Sequence, residues 1–403
     1  MERFTTAIIG GGASGLILAA SLQNQGKTLI LERSERVGRK LSATGNGQGN
    51  ITNLNVTEGG YFTANKISMQ RVQSIIHEWN DDTLMEFFFK LGVLLIADER
   101  GRVYPSGRQA SALTDALRYF VAQQGTELRV NSRVIRLQKE GDGFIITYEK
   151  EGSTHTCYAQ NVVLCTGGKV AKNFGTDGTA YALVQAFGHT VTQLYPSLVQ
   201  LKTDTKHIKS LKGIRVTDGV LTAFTPTKKH VLGGDIIFTD YGVSGDAVFR
   251  MSAFIADQIP SGKVNISIDF APEAEEEEIL GMLRQKAKTY PNMEKTELLF
   301  GIVNNQIGRA IMRRAEGDIV KAASLVKNFT LPVTGSLGFD YAQVTKGGIP
   351  LTETDENLQS RLTQGLYFAG EILDVDGECG GFNLQWAYSS ARVVAAAISA
   401  KNI

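Results

Sequence analysis

The hydrophobic pattern near the start of the chain changes period twice between residues 5 and 32. Ala7–Ile8–Ile9 is continuously apolar, as a strand buried on both faces requires. At Gly10–Gly11–Gly12–Ala13–Ser14–Gly15 it gives way to an apolar helical stretch from about Ser14 to Gln25, ended by Gly26. A second apolar run, Thr28 to Leu31, closes on Glu32. The pattern predicts a βαβ unit with glycines at its first turn and a carboxylate after its second strand.

Helical periodicity returns at residues 68–91, read as two helices meeting near Asp81–Asp82, and again at Ala110–Gln124. Glu99–Arg100–Gly101–Arg102 reads as a hairpin turn before Val103–Tyr104–Pro105. Leu128–Val130, Ser132–Gln138 and Phe144–Tyr148 read as strands, the last two joined through Gly141 and Gly143. Asn161–Leu164 is another buried strand, running into Cys165–Thr166–Gly167–Gly168, and a helix is expected over Thr179–Phe187. From about Gln193 the texture becomes that of short strands (Leu198–Thr203, Val216–Phe224, Asp235–Thr239), with Pro272–Lys327 helical. Gly365–Phe368 then returns to the style of the first strands, ahead of a helix from about Leu384 to Ala400.

This pattern divides the chain into a discontinuous α/β domain, 1–192 and 345–403, a β-rich domain, 193–253 and 328–344, and a helical insertion, 254–327. Charge adds little: 42 basic against 41 acidic residues leave +1, with no electrostatic case for a nucleic-acid or anionic-membrane partner. Neither a signal-peptide pattern at the first residues nor a long apolar run is visible, so a cytoplasmic protein is expected. Cys157, Cys165 and Cys379 form no CxxC pair, and the histidines show no metal-ligand or triad spacing; no metal is expected.

Gly10, Gly12 and Gly15 fit GxGxxG. Gly10 allows the tight turn, Gly12 lets backbone N–H groups approach a pyrophosphate, and Gly15 lets helix and strand pack closely. The helix N-terminus adds positive partial charge, and Glu32 stands where a dinucleotide fold needs a carboxylate for ribose hydroxyls. NAD and FAD both remain open at this point. No second full GxGxxG occurs, so a dedicated NAD(P)H domain is not expected.

These residues, together with GRKLSATGNGQGNITN at 38–53, GRVYPSGRQAS at 101–111, VVLCTGG at 162–168, GDIIFTDYGVSG at 234–245 and GLYFAGEILDVDGECGGFNLQWAYSS at 365–390, make a chain that resembles the BaiN/RdsA-type, or YhiN-like, family of NAD(P)/FAD-dependent oxidoreductases. The resemblance implies an α/β fold in which a Rossmann-like, glutathione-reductase-like FAD domain is split by a β-rich domain carrying the helical insertion. It also implies non-covalent FAD. Gly10, Gly12 and Gly15, with Ala13 and Ser14 in the same turn, would hold the pyrophosphate, and Glu32, with Arg33 beside it, the adenosine ribose. Lys40, Gly45, Gly47 and Asn50 would line the flavin side; Val134 would offer a backbone group to adenine, next to Thr166, Gly167 and Gly168. Gly370, Glu371, Gly381, Phe382 and Asn383 would meet the ribityl chain and the pyrimidine end. The chain departs from the family pattern GGGRCN at Gln48 and Gly49, where arginine and cysteine are usual, and has Asp246 where a proline often follows SG.

An FAD enzyme needs its protein chiefly to bind, orient and electrostatically tune the cofactor. The N-terminus of the last helix, with Gly380 and Gly381 permitting close approach, is expected to stabilise the negative charge of reduced flavin. Asp374, Asp376, Tyr241 and Cys379 are the candidates for proton transfer or other catalysis. The expected activity is oxidoreduction of a small molecule, either enone reduction or amine oxidation, with NAD(P)H as a transient donor. An FAD-containing RNA-modifying or RNA-binding protein and a non-catalytic flavin sensor are the competing classes.

Overall fold

The computed structural model describes residues 1–22, 25–226 and 228–401 and divides into two compact units, Met1–Tyr195 with Val344–Ile403, and Pro196–Gln343. The first unit is built on a seven-stranded sheet. Strand β1, Glu2–Ile9, pairs in parallel with β2, Thr28–Leu31, on one side and with Ser153–Leu164 on the other. Glu127–Arg129 extends the sheet beyond β2, and Leu366–Phe368 joins Ser153–Leu164 in parallel, Val162 opposite Leu366. The hairpin Ser132–Glu140 and Gly143–Lys150 adds antiparallel strands against the first half of Ser153–Leu164.

Burial on both faces explains the continuous apolar runs. Ala7, Ile8, Leu29, Ile30, Val162 and Val163 are all fully buried, an Ile side chain contributing about 2 kcal/mol when so placed. Helix α1, Ala13–Ser21, covers one face with Leu16, Ile17 and Leu18 fully buried. It ends earlier than the sequence pattern suggests. Leu22 leaves helical geometry (φ −90°, ψ 48°), its N–H turns back to the carbonyls of Leu18 and Ala19, and its side chain goes into the core. Gln23 and Asn24 lie outside the described residues. The helix expected at Thr179–Phe187 is likewise only Tyr181–Gln185, because the Asp177 carboxylate takes the Thr179 N–H and hydroxyl and holds that stretch as a turn.

The pair Lys66–Glu78 and Asp81–Lys90 forms as the periodicity predicts, each helix capped by an asparagine, Asn65 and Asn80. The last helix, Phe382–Lys401, starts two residues before the expected point. The second unit is a closed antiparallel barrel of Leu201–Thr203, Gly242–Ser244, Lys229–Phe238, Arg215–Phe224, Asn265–Asp269 and Phe329–Ser336. The segment 254–327, assigned to a helical insertion, contributes the barrel strand Asn265–Asp269, while Pro272–Lys327, read as helical, holds the helices Glu276–Thr289, Asn305–Arg314 and Ile319–Lys327. That strand buries Ile266, Ser267 and Ile268 and pairs on both sides, a run too short to stand out from sequence.

Candidate cofactor-binding site

The carboxyl ends of β1, Ser153–Leu164 and Leu366–Phe368 share one edge of the first sheet, and the glycine turn lies there. A Cβ on Gly15 would sit 2.0 Å from the Gly10 carbonyl oxygen, and one on Gly10 (φ +105°) 2.5 Å from the Cys165 carbonyl oxygen. These two glycines are demanded by backbone meeting backbone. Gly12 differs: a Cβ there meets nothing within 4 Å. It is the N-cap of α1, and no side chain caps the first N–H groups of the helix there.

Glu32, only 9% exposed, is held from two sides. Its Oε2 accepts the Gly11 N–H at 2.8 Å and its Oε1 the Ser34 N–H at 2.7 Å. Its backbone bonds Arg129 and Ser132 on the neighbouring strands, so Val134, half-buried on Ser132–Glu140, lies on a strand anchored at Glu32. Arg33 forms a two-pronged pair with Asp177 (2.8 and 2.9 Å), and its guanidinium, with the Thr179 bonds added, holds the Asp177 carboxyl far below the usual range.

Beside this turn, Thr166 has a buried hydroxyl oxygen with no hydrogen-bond partner, and Gly167 adopts φ +69°. A Cβ on Gly168 would lie 2.4 Å from Thr345 Oγ1. Lys40 donates to Glu371 Oε2 at 2.6 Å, and the Thr345 N–H donates to Glu371 Oε1 at 2.9 Å. The 39–47 stretch is a short helix, Arg39–Ser42, followed by a 3-10 turn, Thr44–Gly47, with Gly45 and Asn46 left-handed. Gly47 faces open space. Gly49 (φ +77°) would put a Cβ 2.8 Å from Ala110 Cα, which excludes the cysteine usual in the family pattern from this backbone.

Several residues given a ligand role from sequence also carry structural work. The Asn50 side chain donates to the Thr52 and Val103 carbonyls, both at 3.0 Å, so its NH₂ group is used within the protein. Asn383 accepts the Gly377 N–H and donates to the carbonyls of Gly377 and Glu378, locking the turn before its helix. A Cβ on Gly381 (φ +108°) would sit 2.2 Å from the Thr52 carbonyl oxygen, so packing on Thr52–Asn53 already requires glycine there. Phe382 packs edge-on against Tyr61. Gly370 is fixed by the last helix: its N–H donates to Ser390 Oγ at 2.9 Å and its carbonyl accepts Trp386 Nε1–H at 3.2 Å. Glu371 is thereby aimed.

Of the catalytic candidates, Asp374 and Asp376 are buried just beyond Glu371. Asp374 accepts the Ala64 N–H at 3.2 Å, and burial raises its carboxyl pKa despite the opposing pull of Lys346. Lys346 lies 3.7 Å from Asp376. Cys379 is half-buried in the turn before the last helix, while Tyr241 belongs to the second unit, its carbonyl accepting the Thr203 N–H. Burial pushes the Cys165 thiol up to about 12, which leaves it unreactive.

Sequence reasoning missed Tyr181, Thr345, Lys346 and Asp177, single polar residues without a motif around them. It also missed a buried set: His189 bridges Glu353 Oε2 and Ser360 Oγ, each at 2.7 Å. The order resembles a hydrolase triad, but Ser360 Oγ is buried and accepts the N–H groups of Leu362 and Thr363, so the set clamps a loop. No group of residues able to hold a metal occurs among the described residues, and no described helix is long and apolar enough to cross a membrane.

A parallel sheet with a glycine turn, a helix N-terminus and a buried acid at its carboxyl edge defines a dinucleotide-binding Rossmann-type unit. The model of the HI0933-like protein Rossmann domain matches residues 4–397, and the chain belongs to that family. It is 32% identical to the 3-dehydro-bile acid delta(4,6)-reductase of Clostridium scindens, over 95% of this chain and 96% of that protein. It is 27% identical to the ribosomal RNA dihydrouridine synthase of Escherichia coli, over 97% of each. Among solved structures, 3-ketosteroid-delta4-(5alpha)-dehydrogenase from Rhodococcus jostii RHA1 shares the fold, with a TM-score of 0.54 at 15% identity over 99% of this chain and 97% of that one. The α/β architecture expected from sequence, a Rossmann-like unit interrupted by a β-rich one, is the architecture observed.

Proposed function

We propose that this chain is a cytoplasmic FAD-dependent oxidoreductase that reduces a carbon–carbon double bond conjugated to a carbonyl in a small organic molecule, with NAD(P)H as a transient electron donor. The observation that carries the reading is the uncapped N-terminus of α1 opening at Gly12 beside a Glu32 carboxylate already oriented by the Gly11 and Ser34 N–H groups. Together with the partnerless Thr166 hydroxyl and the open space at Gly47, these groups fit a flavin dinucleotide. FAD, when bound, supplies hydride transfer.

The protein's share is binding and charge. The first turn of α1 takes the pyrophosphate, Glu32 the adenosine ribose, the Val134 backbone the adenine, and Thr166, Lys40 and Glu371 the ribityl side. The N-terminus of Phe382–Lys401 offers positive partial charge toward the pyrimidine end. Two relatives support the substrate class. A delta(4,6)-reductase of a 3-dehydro bile acid and a dihydrouridine synthase both name saturation of a double bond next to a carbonyl. The near-zero net charge favours a small molecule over RNA.

Anaerobic titration of the yellow protein with NADH and NADPH, followed by a steroid dienone, tests this. The flavin is expected to bleach with a nicotinamide and to recolour with the dienone. Bleaching by small amines without nicotinamide would assign amine oxidation instead. The 27% identity to an RNA enzyme carries the second reading: recolouring by ribosomal RNA and not by the dienone, with salt-sensitive RNA binding, would establish it.

A further inference from the structure

The chain between Val170 and Tyr181 runs along the edge of the first sheet where the candidate cofactor groups stand. Val170 and Tyr181 are buried, and no residue from Ala171 to Ala180 is. The near end is tied beside Glu371: Thr345 Oγ1 accepts the N–H groups of Lys169 (2.7 Å) and Val170 (3.2 Å), and a Cβ on Gly168 would lie 3.2 Å from Glu371 Oε1. The far part lies on the segment after β2. A Cβ on Gly175 would sit 2.6 Å from Ser34 Oγ, and Ser34 is the residue whose N–H holds Glu32 Oε1. The span 171–180 therefore reaches from the residues assigned to the ribityl side to those assigned to the adenosine ribose.

Little holds it there. With no residue buried, apolar burial contributes little, and Ala171 takes a left-handed φ of +65°, which disfavours a residue with a Cβ. Among the described residues, the hydrogen bonds of 171–180 that reach outside 170–183 all end on Arg33. The Arg33 guanidinium donates to both Asp177 carboxylate oxygens, at 2.8 and 2.9 Å, and to Thr179 Oγ1 at 3.5 Å. A surface segment with few buried contacts and one clasp opens locally long before the sheet beneath it unfolds.

We propose that 171–180 is a strap over the cofactor crevice, that Arg33 and Asp177 are its latch, and that opening this latch sets the rate at which FAD enters and leaves. The inference rests on the FAD reading given above. It makes Arg33 and Asp177 positioning residues, which act on the cofactor through the strap, and gives Arg33 this role in place of a contact with the ribose. A two-pronged pair that solvent partly screens favours the closed strap by about fivefold, enough to slow exchange while leaving the fold intact when it is lost.

The rate of FAD release from the loaded protein, followed by flavin fluorescence with a second apoflavoprotein in excess as the trap, tests this. Asp177→Asn and Arg33→Gln are each expected to release FAD about fivefold faster than the wild type, and the double variant no faster than either, because one latch is lost only once. Trypsin gives a readout that needs no turnover. The exposed Lys172 should be cut more slowly with FAD bound than in the apoprotein, and faster in Asp177→Asn than in the wild type. Wild-type release rates in both single variants, or cutting at Lys172 that ignores both FAD and the latch, would overturn the strap. So would a double variant in which the two effects multiply, which would seat Arg33 on the cofactor itself. A chain that takes up no FAD would strike the flavin reading and the strap together. Release that follows the latch in a protein inert to every dienone would leave the strap standing and strike the substrate reading alone.

Discussion

The turn after β1 and the turn before the last helix use the same vocabulary, glycines ahead of a helix N-terminus with an acid nearby, for different ends. In the first, Gly12 opens onto space and leaves the helix end free for a ligand. In the second, the position that looks equivalent, Gly381, has its missing side chain pressed on the Thr52 carbonyl, and Asn383 is spent on the turn itself. The demand for glycine is thus explained inside the protein at Gly381, and at Gly12 it is not.

Alanine substitutions can break this comparison. The largest effect is expected at Gly15→Ala, where Cβ meets the Gly10 carbonyl oxygen: loss of about 3 kcal/mol and of co-purified flavin, measured by urea unfolding and absorbance. Gly381→Ala should cost about 2 kcal/mol in the apoprotein from the clash and the left-handed backbone. An apoprotein of wild-type stability with weak flavin binding would assign Gly381 to the ligand and not to packing. Gly12→Ala should do the reverse, keeping the fold within about 0.5 kcal/mol while weakening FAD binding about tenfold, read by equilibrium dialysis.

The smallest effect concerns Arg33–Asp177. The folded Asp177 carboxyl is held below its unfolded value, so its contribution to stability is complete above the ordinary aspartate pKa of about 3.9 and is lost as pH falls toward the folded value. Asp177→Asn should lower the melting temperature slightly at pH 7 and make no difference at the lowest pH the fold survives. An equal decrement at both would remove the ionic explanation.

Much of the fold was legible because its signals are local. Buried parallel strands read as unbroken apolar runs, and the two asparagine-capped helices showed their period. The glycine turn and Glu32 were legible for the same reason, lying within one βαβ unit. What escaped depends on partners distant in the chain: Thr52 against Gly381, Val103 against Asn50, Lys40 against Glu371, His189 against Glu353 and Ser360. A motif shows which residues recur together, and only the fold shows which atom each one touches. Lys346 and Tyr181 carried no pattern at all; only the fold puts Lys346 3.7 Å from Asp376 and buries the Tyr181 hydroxyl.

The pairing of Leu366–Phe368 with Ser153–Leu164 also has a consequence for synthesis. The sheet's central strand leaves the ribosome some two hundred residues before the strand that completes its edge, and the helix that fixes Gly370 comes later still. Long-range closure of this kind is slow, and until it happens the apolar flank of Val162 and Val163 lacks its cover. Cofactor capture then becomes one of the last events in the life of the nascent chain, and a chain cut before Phe382 would keep the glycine turn and Glu32 while losing the means to hold what they bind.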